Sequence, residues 1–470
     1  MPDAFPGFGE GAPLDVPSSP TTDASILSRL LDGTTDALSD AIASVGNCAR
    51  PIRLHGTSTT VDSSTGEVLS SFSSTDAPLG VLLTPCGNRR AHICPACSRV
   101  YARDTFELIR SGVVGGKTVP ADVAASPLLF VTLTAPSFGH VHGTRPGGGA
   151  CRPRSSDRVQ TCPHGVRLSC NARHGDDDQL VGAPLCWDCY DWTTAVVWQW
   201  HAPELWRRFT ITLRRHLALA LGVKRSKLND HASIQYAKVA EYQARGAVHF
   251  HALVRLDGPD GPGSPAPITA DRLAQIVQAA ARAVTVTAPP THDGDTARVL
   301  AWGSQVDVRT ITHGPSDLRS SDELTPGQVA GYLAKYATKD ATNLRTDTHR
   351  PHLARLAKTC RELHAHAVQR DADRRQGLFV PVDVDPKTGR DPYALLGKWA
   401  TALGFRGHFS TKSRHYSVTL GKLRRARQRF QRLAAQATRS GQPLDTRDLE
   451  TRLGLTPFGG HRLKRLLPPR

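Results

Sequence analysis

No stretch of the 470-residue chain is apolar for long enough to span a bilayer. The N-terminus, rich in Pro, Gly and Ser, lacks the basic-then-apolar order of a secretory signal. A phosphate-cradling GxxxxGK[ST] loop is also missing, so any nucleotide-driven unwinding has to come from a partner helicase. There is no internal repeat, which removes solenoid and propeller architectures. Negative charge is scarce: 42 Asp and Glu face 59 Lys and Arg, a net charge of +17. Arginine carries most of that excess, and the balance favours a polyanionic partner, nucleic acid before membrane. These absences describe a cytoplasmic protein, where ten cysteines are expected to ligate metal and not to pair as disulfides.

The pattern along the chain divides it. Residues 1–24 have the composition of a disordered tail, and 25–110 hold a helix and a cysteine module. The run "PLLFVTLTAP" (127–136) reads as a buried strand and opens a domain expected over 126–345. A Cys/His-rich insertion interrupts that domain at about 150–192, and residues 346–470 form a basic, mainly helical end. Within it "LRRARQRFQR" interleaves basic and apolar positions as a phosphate-contacting helix would.

Two stretches carry the chemistry. In "GAVHFHALVRL", Val248, Phe250, Ala252, Val254 and Leu256 alternate as one buried strand face, which leaves His249 and His251 side by side on the other. If Ala244, Arg245 and Gly246 make a three-residue hairpin loop, Gln243 pairs with Ala247 and Glu241 falls opposite His249. One carboxylate and two imidazoles then form a three-ligand metal site with open positions. Asp307, in "WGSQVDV", is the rival third ligand.

The second stretch is "LTPGQVAGYLAKYATKD", a helix with Thr325 as N-cap and Pro326 as its first residue. Tyr332, Lys335, Tyr336 and Lys339 share one face beside an inner stripe of Val329, Leu333 and Ala337. A tyrosine, whose pKa is near 10, becomes a nucleophile when a nearby cation steadies its phenolate.

Cys94 with Cys97, and Cys186 with Cys189, make two Cys-x-x-Cys knuckles suited to tetrahedral zinc. Cys48 and Cys86 are expected to complete the first, with His92 in competition. Cys162 and Cys170 are expected to complete the second, with His164, His174 and Cys151 in competition. Two structural zinc ions follow. His140 and His142, in "GHVH", read as an incidental pair, and Cys360 has no assigned role.

Taken in order, "VTLTAP", "HFH" and "YLAKYATK" resemble the three motifs of rolling-circle replication initiators of the HUH endonuclease superfamily. The doubled tyrosine looks like that of the microvirus gene A proteins. The wider set, with "CGNRR…CPAC" and "GFRGHFSTKSRHYSVTL", is similar to Rep proteins of actinomycete plasmids and integrative conjugative elements. The resemblance implies an α+β protein with a ferredoxin-like catalytic domain, an antiparallel sheet with flanking helices. It implies a catalytic Mg or Mn ion and tyrosine attack on a single-stranded or extruded origin, giving a 5′-phosphotyrosine. The freed 3′-hydroxyl would prime a host polymerase. Single-tyrosine relatives resemble this chain best over "KYATKD", which assigns the first attack to Tyr336 and the later one to Tyr332. Alternative readings are a transposase or conjugative relaxase of the same superfamily, or a non-catalytic zinc-finger regulator that leaves the histidines and tyrosines idle.

Overall fold

Alternation decides the central sheet. In the computed structural model the run at 128–133 forms a strand whose odd-numbered residues, Leu129, Val131 and Leu133, are fully buried on one face. The model describes residues 35–77, 80–155, 160–311, 326–338, 350–380, 382, 384–441 and 464–465. The expected N-terminal tail, Thr325 and Lys339 lie outside the described residues.

The chain divides into two compact units, residues 1–100 with 452–470, and residues 101–451. The first holds helix α1 (Thr35–Ser44), strands β1 (Ile52–His55), β2 (Thr57–Val61), β3 (Val68–Ser73) and β4 (Leu82–Thr84), and the start of helix α2 (Pro95–Val114). β2 and β3 form an antiparallel hairpin, and β1 pairs antiparallel with β4. Its described apolar cluster is small: Val45, Cys48, Cys94 and Cys97, with Leu83, Cys86 and Ala96 against them. So few apolar side chains do not stabilise a unit alone, and a cysteine-bound staple is the physical expectation.

The second unit is built on a five-stranded antiparallel sheet. Its strands are β5 (Leu128–Leu133), β6 (Ser233–Tyr242), β7 (Val248–Asp257), β10 (Val306–Thr310) and β11 (Ser410–Lys412), in the order β10-β5-β7-β6-β11. Strands β8 (Thr285–Ala288) and β9 (Arg298–Ala301) form a separate pair. Between β5 and β6 runs helix α3 (Trp192–Ala220), capped by Asp191, whose side chain accepts from the Thr194 N–H. Between β7 and β8 runs α4 (Ala270–Ala283), capped in the same way by Thr269. In α4 Leu273, Ile276, Val277, Ala280 and Ala281 recur at spacings of three and four and are buried. Both helices cover the face that carries Leu129, Val131, Leu133, Phe250 and Val254.

The opposite face holds Leu128, Ala237, Val239 and Leu253, and it too is covered. Ile109 and Val113 of α2 and Val329, Ala330 and Leu333 of helix α5 (Pro326–Thr338) pack on it. Near the β6–β7 turn this face carries Glu241, His249 and His251, and towards its other end the buried Arg255–Asp257 ion pair.

Residues 351–418, which the sequence assigns to a separate C-terminal region, belong to this unit. Helix α6 (Pro351–Arg375) contributes Leu353, Leu356, Cys360 and Leu363 to the main core, and β11 adds the fifth strand beside β6. Strand pairing this far apart in sequence leaves no local signature. Helix α7 (Leu420–Ser440) follows, N-capped by Thr419. Among the described residues no helix is long and apolar enough to cross a membrane.

Lys238 is anomalous within this core. It sits on the α3 face of β6, 5% exposed, with Nζ donating to the His408 carbonyl at 3.0 Å and lying 4.4 Å from the Phe250 ring centre. Burial pushes its pKa down to about 7. An unfolded lysine titrates near about 10.4, so between pH 7 and that value the unfolded chain binds a proton the native chain has shed. The cost of burying this cation is therefore full below pH 7 and fades as pH rises. Lys238→Met should raise the melting temperature most at pH 6.5, with the gain over the parent shrinking towards pH 9.5. A gain independent of pH, measured by thermal unfolding, would show that the burial of the charge is not the cause.

Candidate functional site

The β6–β7 turn sets the site's register. Gln243 N–H donates to the Ala247 carbonyl at 2.9 Å, and Gly246 N–H donates back to the Gln243 carbonyl at 2.8 Å. Gly246 has φ +79°, and a Cβ there would stand 2.8 Å from Leu353 and Leu356, so both conformation and space call for glycine. Arg245 ties the loop to the end of β5, donating to the Ala135 and Pro136 carbonyls at 2.8 Å each. With this turn Glu241 faces His249 and Val239 faces His251, the register that the three-residue loop predicts.

Three donor atoms converge there. His249 Nε2 lies 3.1 Å from His251 Nε2 and 3.2 Å from Glu241 Oε2, and His251 Nε2 lies 3.5 Å from that same oxygen. Neighbouring donors on one ion at about 2.1 Å are separated by roughly 3.0–3.4 Å, so the triangle fits a single divalent cation. Asp307 is on the same sheet face through its pairing with Thr132, but it is exposed and accepts from Arg309 Nε at 2.9 Å, outside the triangle.

His251 is held by residues of β5. The Thr132 hydroxyl is 3.0 Å from His251 Nδ1, and the Phe130 ring stacks on the imidazole at 5.6 Å and 7°. With the proton on Nδ1 facing Thr132, the Nε2 lone pair points to the other donors. Burial lowers the pKa of His251 and favours that neutral form. Thr132 and Phe130 escape a reading of the sequence alone, because only the pairing Thr132↔His251 shows what they face.

Helix α5 brings a phenol to the donors. Val329, Ala330, Leu333 and Ala334 are buried against the sheet, which turns Tyr332 to the edge of that contact, 37% exposed. Its Oη lies 3.2 Å from His251 Nε2, and its ring meets Phe130 edge-on at 5.7 Å. Lys335 is exposed one turn further along the helix. Tyr336 also belongs to α5, but its side chain lies outside the described residues.

The cysteines gather into three sets. Cys48, Cys86, Cys94 and Cys97 converge as the first knuckle leads one to expect. The second set requires a correction: Cys162, Cys186 and Cys189 are joined by His164, not by Cys170. His164 Nδ1 lies 3.2 Å from Cys189 Sγ and 3.7 Å from Cys186 Sγ. Cys170 is drawn away because its backbone bridges to Arg152, with Cys170 N–H donating to the Arg152 carbonyl at 3.0 Å. It groups instead with Cys151, His174 and His142. His92 belongs to none of these sets, and Cys360 is buried in the main core apart from them.

The family model described as "Replication initiator protein, pSAM2" (RepSA) matches residues 34–460. A replication initiator protein of Streptomyces ambofaciens is 41% identical over 429 residues, which cover 90% of this chain and 86% of that relative. No solved structure matches the chain.

Proposed function

Because the chain belongs to the family of pSAM2 replication initiator proteins, we propose that it starts replication by nicking one DNA strand at an origin through a tyrosine nucleophile. The observation that carries this reading is the approach of Tyr332 Oη to within 3.2 Å of His251 Nε2, inside a triangle of two imidazoles and a carboxylate. The order of elements supports it: β5, α3, β6, β7, α4 and, after the inserted β8–β9 pair, β10, with sheet order β10-β5-β7-β6, have the connectivity of a ferredoxin-like domain.

Glu241, His249 and His251 would hold a divalent ion, Mn in preference to Mg given two nitrogen donors, which when bound draws charge from the scissile phosphate. The Tyr332 oxygen attacks phosphorus, the bond from phosphorus to the 3′ oxygen breaks, and that oxygen leaves and takes up a proton. The products are a 5′-phosphotyrosine and a 3′-hydroxyl that a host polymerase extends behind a host helicase. Lys335, exposed one turn along α5 from Tyr332, would supply positive charge for the phenolate and the phosphate, a role the sequence also offers to Lys339 outside the described residues. The arginines of α7 add sequence-independent phosphate contacts, and the cytoplasm is where the replicon and these partners meet. The Cys48/Cys86/Cys94/Cys97 and Cys162/His164/Cys186/Cys189 sets would each hold a structural zinc.

The reading is tested with single-stranded fragments tiled across the element's own origin, labelled at the 3′ end, and incubated with protein and Mn. A covalent, denaturant-resistant complex should carry the 3′ label, because the protein is joined to the 5′ end of the downstream fragment. Label found only on free DNA, with no complex on any fragment, would reject tyrosine-mediated nicking.

A further inference from the structure

Two of the cysteine-containing sets are built on Cys-x-x-Cys knuckles, and the third has no knuckle to announce it. Its ligating residues are spread as His142, Cys151, Cys170 and His174, and their donor atoms all lie within 4.8 Å of one another. His142 Nδ1 is 3.2 Å from His174 Nε2, and Cys170 Sγ is 3.4 Å from the same nitrogen. Tetrahedral zinc at about 2.0–2.1 Å from nitrogen and about 2.3 Å from sulfur separates neighbouring donors by roughly 3.3–3.8 Å. The spacing is that of a shared ion.

The surroundings are those of ligands. His174 Nδ1 lies 2.6 Å from Asp178 Oδ2, a carboxylate that fixes the ring and turns Nε2 to the other donors. Asp178 is itself held, its Oδ1 accepting from the Leu180 N–H at 2.8 Å. Cys151 Sγ accepts from the Gly143 N–H at 3.2 Å, the contact that steadies a thiolate. The two cysteines are brought level by the backbone bridge between Arg152 and Cys170, and Cys151 N–H donates to the Ala172 carbonyl at 2.9 Å.

We propose that His142, Cys151, Cys170 and His174 bind a third zinc ion, which clamps the loop after β5 to the inserted segment. The clamp backs the catalytic hairpin. His142 exchanges backbone hydrogen bonds with Gly182 and Ala183, accepting from the first at 2.9 Å and donating to the second at 2.8 Å. Gly182 has φ +92°, and a Cβ on it would stand 2.2 Å from the Ala244 carbonyl oxygen in the β6–β7 turn. The metal would therefore hold in place a segment packed directly against the β6–β7 turn.

The test is metal content and thiol reactivity of the full-length protein, neither of which depends on nicking. The parent should carry three zinc equivalents, and Cys151→Ser and Cys170→Ser should each carry one fewer. Asp178→Asn, which leaves all four ligands and the backbone bridges intact, should lose one equivalent to a chelator at roughly 10–100-fold lower chelator strength than the parent needs. Cys151 and Cys170 of the folded parent should resist alkylation until that metal is removed, as peptide mapping would report. The site is refuted if both thiols in the folded parent alkylate at the rate of the unfolded chain, if the serine variants keep the parent's zinc content, or if Asp178→Asn gives up its metal only at the parent's chelator strength.

Discussion

Replacing His249 and His251 together with alanine is expected to lower strand cleavage at least about 10³-fold while leaving DNA affinity within a few-fold. The two imidazoles supply two of the three donors in the triangle, and Glu241 alone is a weak monodentate ligand. Losing a divalent ion held by the triangle would remove several kcal/mol of charge stabilisation from the transition state, and about 4 kcal/mol corresponds to three decades of rate. Affinity is expected to rest elsewhere, on the arginine-rich α7 and the general positive charge, and to keep its steep salt dependence. Glu241→Gln keeps the shape but removes the charge, so it should demand more Mn for the same rate. A chelator should silence the parent, and Mn added back should restore it, provided the exposure is too brief to strip the cysteine sites. Cleavage that survives the double substitution would remove the metal from the account.

Tyr332→Phe is expected to have an effect as large, abolishing the first covalent complex, whereas Tyr336→Phe should allow it. The sequence resemblance assigns the first attack to Tyr336, but the phenol 3.2 Å from His251 Nε2 belongs to Tyr332, and the geometry favours the reverse order. Deleting one oxygen leaves the ring packed edge-on against Phe130, so the fold should be untouched and the loss chemical. The doubled motif then acquires a reason. On the proposed nicking mechanism the protein must cut again when the origin is regenerated, by when the first tyrosine would be esterified. Tyr336, four residues on along the same helix, is the candidate for the second cut. Its phenylalanine variant should nick normally yet accumulate displaced strands longer than one unit. Equal first nicking by both variants would remove the distinction between them.

Much of this site is legible in the sequence because it is local. The alternation from Val248 to Leu256 and a three-residue loop ending in Gly246 are enough to put Glu241 opposite His249. The apolar stripe of α5 likewise marks which side of that helix is buried. What is hidden depends on contacts distant in sequence. Nothing near His251 announces Thr132, whose hydroxyl orients it from 119 residues away. Knuckle spacing identifies Cys186 and Cys189, but the choice between His164 and Cys170 as their fourth partner is made by the backbone bridge at Arg152. His142 is separated from its partners by a loop and looks accidental until the segment around Ala183 pairs with it. The fifth strand, beginning at Ser410, is chosen by the open edge of β6 and not by its own three residues.

The most direct measurement is the identity of the residue that carries DNA after the first cut. Protein is incubated with a single-stranded origin fragment and Mn, the covalent complex is digested with protease and nuclease, and the nucleotide-bearing peptide is sequenced by mass spectrometry. The expected result is a single modified peptide from helix α5, with the phosphate on Tyr332. A phosphorylated nucleotide on any residue outside 326–338, or DNA cut with no protein attached, would contradict the assignment of this helix and the histidine strand as one catalytic site.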